Sequence, residues 1–220
     1  MSAASSRVPL LAALLALMGL GTAPPLRAQV PKAAMAEDAA PMGATVQGQG
    51  AARHVVFRIW APNASKVAVS GDFNGWKEEF MQKEANRPGH WMLDSRSARP
   101  GDAYRFAIDG LQRRDPRARA VNAAENKSYV LDPRAYVWGP ADGWKMPAKE
   151  DLVMYEMHLG TFASGIPGNG TPFEQATKRL PYLKALGINC IQLMPANEFP
   201  GERSWGYNPG DLFAVESSYG

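Results

Sequence analysis

The hydrophobic period of the sequence changes once, near residue 150, and that change constrains the architecture more than composition does. Before it, short runs of β-forming residues alternate in polarity, and each is closed by Gly, Pro, Asn or Asp. His54–Trp60 ends at Ala61-Pro62-Asn63, and Lys66–Ser70 ends at Gly71-Asp72. Trp91–Asp94 and Tyr104–Gly110 follow. Short strands at this spacing, with no helical pattern between them, predict an antiparallel β-sandwich over residues 53–137, near whose end Leu131-Asp132-Pro133 breaks the pattern. Residues 138–150, with Gly139-Pro140 and Pro147, read as a linker.

Beyond the change, Leu152–Leu159 is a mostly apolar strand. Thr171-Pro172-Phe173-Glu174 has the form of a helix start: a Thr cap, Pro at the first position and an acid three residues after the cap. Phe173, Ala176, Leu180, Leu183 and Leu186 recur at three- and four-residue steps, and Gly187 is placed to end the helix in a left-handed conformation. Pro181 lies inside the pattern, where it kinks or splits a helix. A second apolar strand, Ile188–Pro195, follows directly. Strand, helix, Gly, strand is a βαβ unit with parallel strands, so the chain is multidomain, β then α/β. The period alone leaves open whether the unit starts a barrel or a doubly wound sheet.

The N-terminal end has a different texture. Arg7 precedes the apolar stretch Leu10–Leu20, and Ala28 is a candidate cleavage position after the large Leu26, so residues 1–28 read as an export signal and the protein as secreted or periplasmic. The apolar run is short for a bilayer span, so no stable membrane segment is expected after cleavage; an uncleaved anchor is the alternative. Residues 29–52 are rich in Ala, Gly, Gln and Met, lack aromatics, and read as a flexible linker. Without Arg7 and Arg27 the 24 basic residues fall to 22 against 21 acidic ones, a balance that gives no electrostatic reason to expect nucleic acid as a partner. The single cysteine, Cys190, excludes an intramolecular disulfide and reads as a small core residue in an apolar run.

Two blocks in the sandwich, Phe57-Arg58-Ile59-Trp60-Ala61-Pro62-Asn63-Ala64 and Val69-Ser70-Gly71-Asp72-Phe73-Asn74-Gly75-Trp76, resemble carbohydrate-binding module family 48, whose fold is immunoglobulin-like. Met154–Phe162 is similar to the first barrel strand of glycoside hydrolase family 13, and Ile191–Gly201 to its second strand and following loop. Ser204–Pro209 and Phe213–Gly220 resemble the loop that leads towards the second helix. The resemblance implies a sandwich followed by about the first quarter of a (β/α)8 TIM barrel over residues 151–220, in an enzyme acting on α-1,4 or α-1,6 glucosidic bonds by a retaining mechanism. The partner it implies is an α-glucan: starch, glycogen or a maltooligosaccharide.

Family members carry their catalytic carboxylates on strands 4, 5 and 7, which lie beyond Gly220, so no catalytic residue is assigned here and the 220-residue chain is expected to be inactive by itself. For the same reason neither Glu156 nor Glu198 is given a catalytic role. Tyr207 matches the family tyrosine that stacks on the sugar at the cleavage subsite; the alternative is an aromatic that only packs under the barrel mouth. Trp205 and Asn208 are its neighbours and are further candidates for substrate binding. Trp76 occupies the position of a glucan-stacking Trp in the module, but Leu111-Gln112 stands where binders have a second Trp after the Asp109-Gly110 turn, and Arg105 stands where they have Lys. Packing is therefore the competing reading for Trp76. Glu156 and His158 should share one strand face, as a structural pair or a tuned site; without a third ligand they make no metal site, and no metal or cofactor is expected. The export signal favours an α-amylase-like hydrolase over a branching enzyme, and trehalohydrolase-like action is a third option. A non-catalytic glucan-binding protein is the reading from a different class.

Overall fold

A computed structural model describes residues 41–137, 139, 145–163 and 170–220. The expected export signal over residues 1–28, the first part of the expected 29–52 linker and much of the expected 138–150 linker lie outside these residues.

The sandwich is built from two antiparallel sheets. One has strand order β1 (Gly43–Gln47), β2 (His54–Trp60), β6 (His90–Ser95), β5 (Gln82–Lys83). The other has order β4 (Glu79–Phe80), β3 (Val67–Gly71), β7 (Ala103–Ile108), β10 (Lys127–Tyr129), β9 (Val121–Asn122), with β8 (Leu111–Arg113) folded back on β7. Alternation along β2 sends Val55, Phe57 and Ile59 into the core and leaves Arg58 and Trp60 on the other face. Val67 and Val69 of β3, Trp91 of β6 and Tyr104 and Phe106 of β7 meet them from the remaining strands. The Phe57 and Tyr104 rings lie edge to face at 5.0 Å, as do Tyr104 and Phe106 at 5.7 Å.

The expected linker over 29–52 is corrected at its C-terminal end. Gly43–Gln47 is a strand that pairs with β2 from Gly43↔Arg58 to Gln47↔His54, and Val46 is buried in the core. An edge strand is held by backbone hydrogen bonds and needs few large side chains, so Ala44 and Val46 suffice where composition suggests a flexible stretch. The Arg134 guanidinium fixes this edge by donating to the Val46 carbonyl at 2.9 Å.

Asp115 is a carboxylate buried in the sandwich, beside the buried hydroxyl of Ser128, which accepts from the Asp115 amide at 2.9 Å. The Tyr104 hydroxyl donates to Asp115 Oδ2 at 2.5 Å, and the Arg117 amide donates to Oδ1 at 2.8 Å. Burial pushes both the Asp115 carboxyl and the Tyr104 phenol above their usual ranges; for Asp115 the bonds from Tyr104 and Arg117 oppose that rise.

In the second region β11 (Met154–Met157) and β12 (Cys190–Leu193) pair in parallel, from Met154↔Cys190 to Met157↔Leu193. The strand stops earlier than the expected Leu159 because a short helix, α1 (Leu159–Ala163), begins at once. The connecting helix starts at the Thr171 cap, where Thr171 Oγ1 accepts from the Glu174 amide and the Glu174 carboxylate accepts from the Thr171 amide. It is split in two, α2 (Pro172–Lys178) and α3 (Leu180–Ala185), because Pro181 has no N–H to continue the ladder. Gly187 ends it at φ +88°, with the Ile188 amide bonded back to the Leu183 carbonyl. Along these two helices Ala176 and Leu183 are buried and Phe173 is half-buried, but Leu180 and Leu186 are exposed. Cys190 is half-buried rather than fully inside.

A hairpin, β13 (Asn197–Glu198) and β14 (Asp211–Val215), completes this region and touches the sandwich. Ala118 and Val121 of the sandwich form a small buried cluster with Ala214. Among the described residues no helix is long and apolar enough to cross a membrane.

Candidate functional site

The long loop of the β13–β14 hairpin, residues 199–210, carries Trp205, Tyr207 and Asn208. Its shape is set by two residues. Gly206 sits at φ +86°, and a Cβ there would lie 2.1 Å from the Pro195 carbonyl oxygen, so no larger residue fits without moving the backbone. Ser204 spans the turn: its hydroxyl accepts from the Gly206 amide at 2.9 Å and donates to the Asn208 side-chain carbonyl in a short hydrogen bond.

His158 fastens this turn to the parallel strands. It lies one residue past β11, and its Nδ1 accepts from the Thr161 amide at 3.1 Å, capping α1. A nitrogen that accepts a backbone N–H carries no proton, so in the neutral ring the proton is on Nε2. Nε2 donates to the Ser204 carbonyl at 2.8 Å, and the Tyr219 hydroxyl stands 3.3 Å away from it. Burial lifts the Tyr219 phenol above its usual range, with the Glu216 charge acting the same way. The expected pairing of Glu156 with His158 is not formed: Glu156 is exposed on β11, while His158 has left the strand.

Together these elements enclose a cleft of about 560 Å³, lined by His158, Phe199, Glu202, Arg203, Trp205 and Tyr219 among others. Trp205 is 74% exposed and forms part of its wall. Tyr207, 67% exposed, and Asn208 share the loop but do not line the cleft. Among the described residues Glu202 is the single carboxylate that lines the cleft, and a retaining glycosidase needs two about 5 Å apart. The arrangement offers aromatic faces and polar groups for binding, without an acid–nucleophile pair.

Three carboxylates are buried at the root of the hairpin: Glu198, Asp211 and Glu216. Glu198 accepts from the Ser217 amide at 2.8 Å, and Glu216 accepts from the Phe199 and Ser218 amides at 3.2 and 3.1 Å. Burial pushes the Glu198 carboxyl above the usual range, opposed by the Ser217 amide and reinforced by the charges of Glu216 and Asp211. These groups hold the hairpin together rather than face the cleft. Among the described residues no cluster of three or more His, Cys, Asp or Glu side chains is placed to hold a metal ion.

Trp76 lies in the turn after β3, does not line this cleft, and is half-buried at φ +61°. Its indole N–H donates to Asp72 Oδ1 at 2.9 Å, and Asp72 Oδ2 accepts from the Ala103 amide. The Arg105 guanidinium lies 5.1 Å and the Lys127 ammonium 5.3 Å from its ring centre. Trp76 is thus bound up with local cations on the sandwich surface instead of standing free.

His158, Ser204 and Tyr219 carry no sequence signal for this arrangement, since the bond between His158 and Ser204 spans 46 residues.

Comparison with known proteins bears on all of these parts. Residues 41–135 match the family model of Carbohydrate-binding module 48 (Isoamylase N-terminal domain). The chain is 36% identical to a 1,4-alpha-glucan branching enzyme GlgB of Dechloromonas aromatica, covering 74% of this chain and 29% of that one. It is 35% identical to a malto-oligosyltrehalose trehalohydrolase of Saccharolobus solfataricus, covering 76% and 28%. A crystal structure from Salmonella typhimurium, provisionally named an alpha amylase, superposes with a TM-score of 0.69 at 39% identity, over 81% of this chain and 29% of that one. A pullulanase from Anoxybacillus sp. LM18-11, crystallised with maltotetraose, gives 0.65 at 25% identity, over 81% and 29%. The chain thus spans less than a third of the length of these relatives. Residues 41–135 form a carbohydrate-binding module 48 sandwich, and the chain as a whole is similar to the N-terminal region of α-glucan enzymes of glycoside hydrolase family 13.

Proposed function

We propose that this chain is the N-terminal portion of an exported α-glucan hydrolase of the α-amylase type, and that the cleft beside the 199–210 loop is a glucan-binding surface. The observation that carries this reading is the cleft itself: about 560 Å³, with an exposed Trp205 on its wall and a loop fixed by His158 and Ser204. An exposed aromatic face suits the C–H face of a pyranose, and Tyr207 and Asn208 beside it extend the surface along a chain of sugars. In the whole protein β11 and β12 are read as the first two strands of a (β/α)8 barrel, with the catalytic carboxylates on later strands. The exposed apolar side chains of Met154, Leu180, Leu186 and Leu193 support that reading, because further strands and helices would cover them. Export rests on Arg7, the apolar run Leu10–Leu20 and Ala28. A branching transferase is the second reading, favoured by the branching-enzyme relatives and disfavoured by the export signal.

The test is calorimetric titration of the chain with maltoheptaose, followed by a starch assay. Trp205→Ala should weaken binding about tenfold, or about 1.4 kcal/mol, in the upper part of the range of about 0.5–1.5 kcal/mol for an aromatic contact. Trp76→Ala should leave affinity within about twofold, since its ring is already engaged by Arg105 and Lys127. The chain should release no reducing sugar. Equal affinity for wild type and Trp205→Ala refutes the cleft as the binding surface.

A further inference from the structure

We infer that the sandwich is part of the cleft's own support, with Arg114 as a positioning residue for the loop that carries Trp205. The glucan reading enters this inference only in naming the ligand; the mechanical claim stands on contacts between the sandwich and the hairpin.

The loop over 199–210 has two ends to be held. Its first half is fastened by His158 through the Ser204 carbonyl. Its other end runs into Asp211, which is 8% exposed and takes a hydrogen-bonded ion pair from Arg114 Nη2 at 3.0 Å. Arg114 is itself held by the sandwich, because its Nη1 donates to the Ala123 carbonyl at 3.0 Å. The guanidinium therefore reaches the hairpin from a fixed direction.

Three further contacts run along the same seam. The Val215 amide meets the Arg119 carbonyl at 3.4 Å, the Arg117 guanidinium sits 4.5 Å from the Phe213 ring centre, and Ala118 and Val121 form a small buried cluster with Ala214. All of them reach β14 from sandwich residues 117–121, just after Arg114.

Charge makes Arg114 the sensitive member. The hairpin root buries Glu198, Asp211 and Glu216, and Arg114 brings a cation to it. Removing one partner of such a pair leaves the other charge buried without compensation. The uncompensated charge sits at the base of the loop, next to Gly210, whose amide closes the hairpin on the Glu198 carbonyl at 2.7 Å. Relief comes by opening that base, and the loop then loses one of its two anchors.

Hydrogen exchange on the whole chain tests this directly, with a maltoheptaose titration alongside. Arg114→Ala should speed amide exchange over residues 199–212 at least about tenfold, leave the β2 and β3 amides unchanged, and weaken maltoheptaose binding about fivefold. Arg114→Lys should recover part of both effects, because it restores the charge without the two-point attachment. Asp211→Ala, made on the hairpin side, cuts the same attachment, so it should reproduce the loop effect and serves if Arg114→Ala unfolds the sandwich. Unchanged exchange over 199–212 in a folded Arg114→Ala or Asp211→Ala variant overturns the inference, as does an equal rise in β2 and β3. If the wild-type chain fails to bind maltoheptaose while loop exchange responds as stated, the glucan reading falls and the positioning role stands.

Discussion

Tyr104→Phe probes the polar group at the centre of the sandwich while disturbing little else. The ring stays, and with it the edge contacts to Phe57 at 5.0 Å and Phe106 at 5.7 Å. Only the hydroxyl that donates to Asp115 at 2.5 Å is lost, in a site where Asp115 is 1% exposed. A hydrogen bond to a charged group contributes about 1.5–3 kcal/mol, against about 0.5–1.5 kcal/mol for a neutral pair. The cost of the variant should therefore depend on whether Asp115 is ionised. Burial raises the Asp115 carboxyl above its ordinary value, so the folded state holds the proton more tightly than the unfolded one. Its stabilising effect is complete below about pH 3.9 and is lost as pH rises through the folded value. Without the Tyr104 bond, which opposes the rise, the folded value moves higher and the loss on going to neutral pH grows. The variant should be destabilised by about 1 kcal/mol near pH 4 and by about 1.5–3 kcal/mol near pH 7, the latter lowering Tm by about 3–12 °C. Urea unfolding followed by circular dichroism at the two pH values measures both numbers. In an Asp115→Asn background the same substitution should lose its pH dependence. A cost that is identical at both pH values, with Asp115 intact, refutes the coupling.

Two further outcomes follow from the loop. Gly206→Ala should destabilise by about 2–4 kcal/mol, from the left-handed backbone and the contact with Pro195, and a variant with unchanged melting and unchanged maltoheptaose affinity contradicts this. His158→Asn keeps an acceptor for the Thr161 amide but is too short to reach the Ser204 carbonyl; it should preserve helix content by circular dichroism and weaken maltoheptaose binding about fivefold, and unaltered affinity counts against the tether.

The parts of this fold that sequence discloses are those governed by local periodicity. β2, β3, β6 and β7 follow alternation, and the Thr171 cap, the break at Pro181 and the turn at Gly187 follow short-range backbone chemistry. β1 escapes because its residues are small and its role is to pair at an edge. The early end of β11 escapes because it depends on His158 turning away to cap α1. At the candidate site, resemblance picks out Trp205, Tyr207 and Asn208 on one loop, but only Trp205 reaches the cleft. The anchors of that loop are invisible to any window: His158 and Ser204 lie 46 residues apart, and Arg114 and Asp211 lie 97 apart.

The place of β1 limits where the front of this protein can be trimmed. Gly43–Gln47 zips along most of β2, so a cut just ahead of Arg53 would strip the sheet's border. The bared backbone of β2 would then be a template for another chain to add itself, in the manner of fibrous aggregates. A stretch whose composition reads as a flexible linker is thus what keeps β2 an interior strand of its sheet.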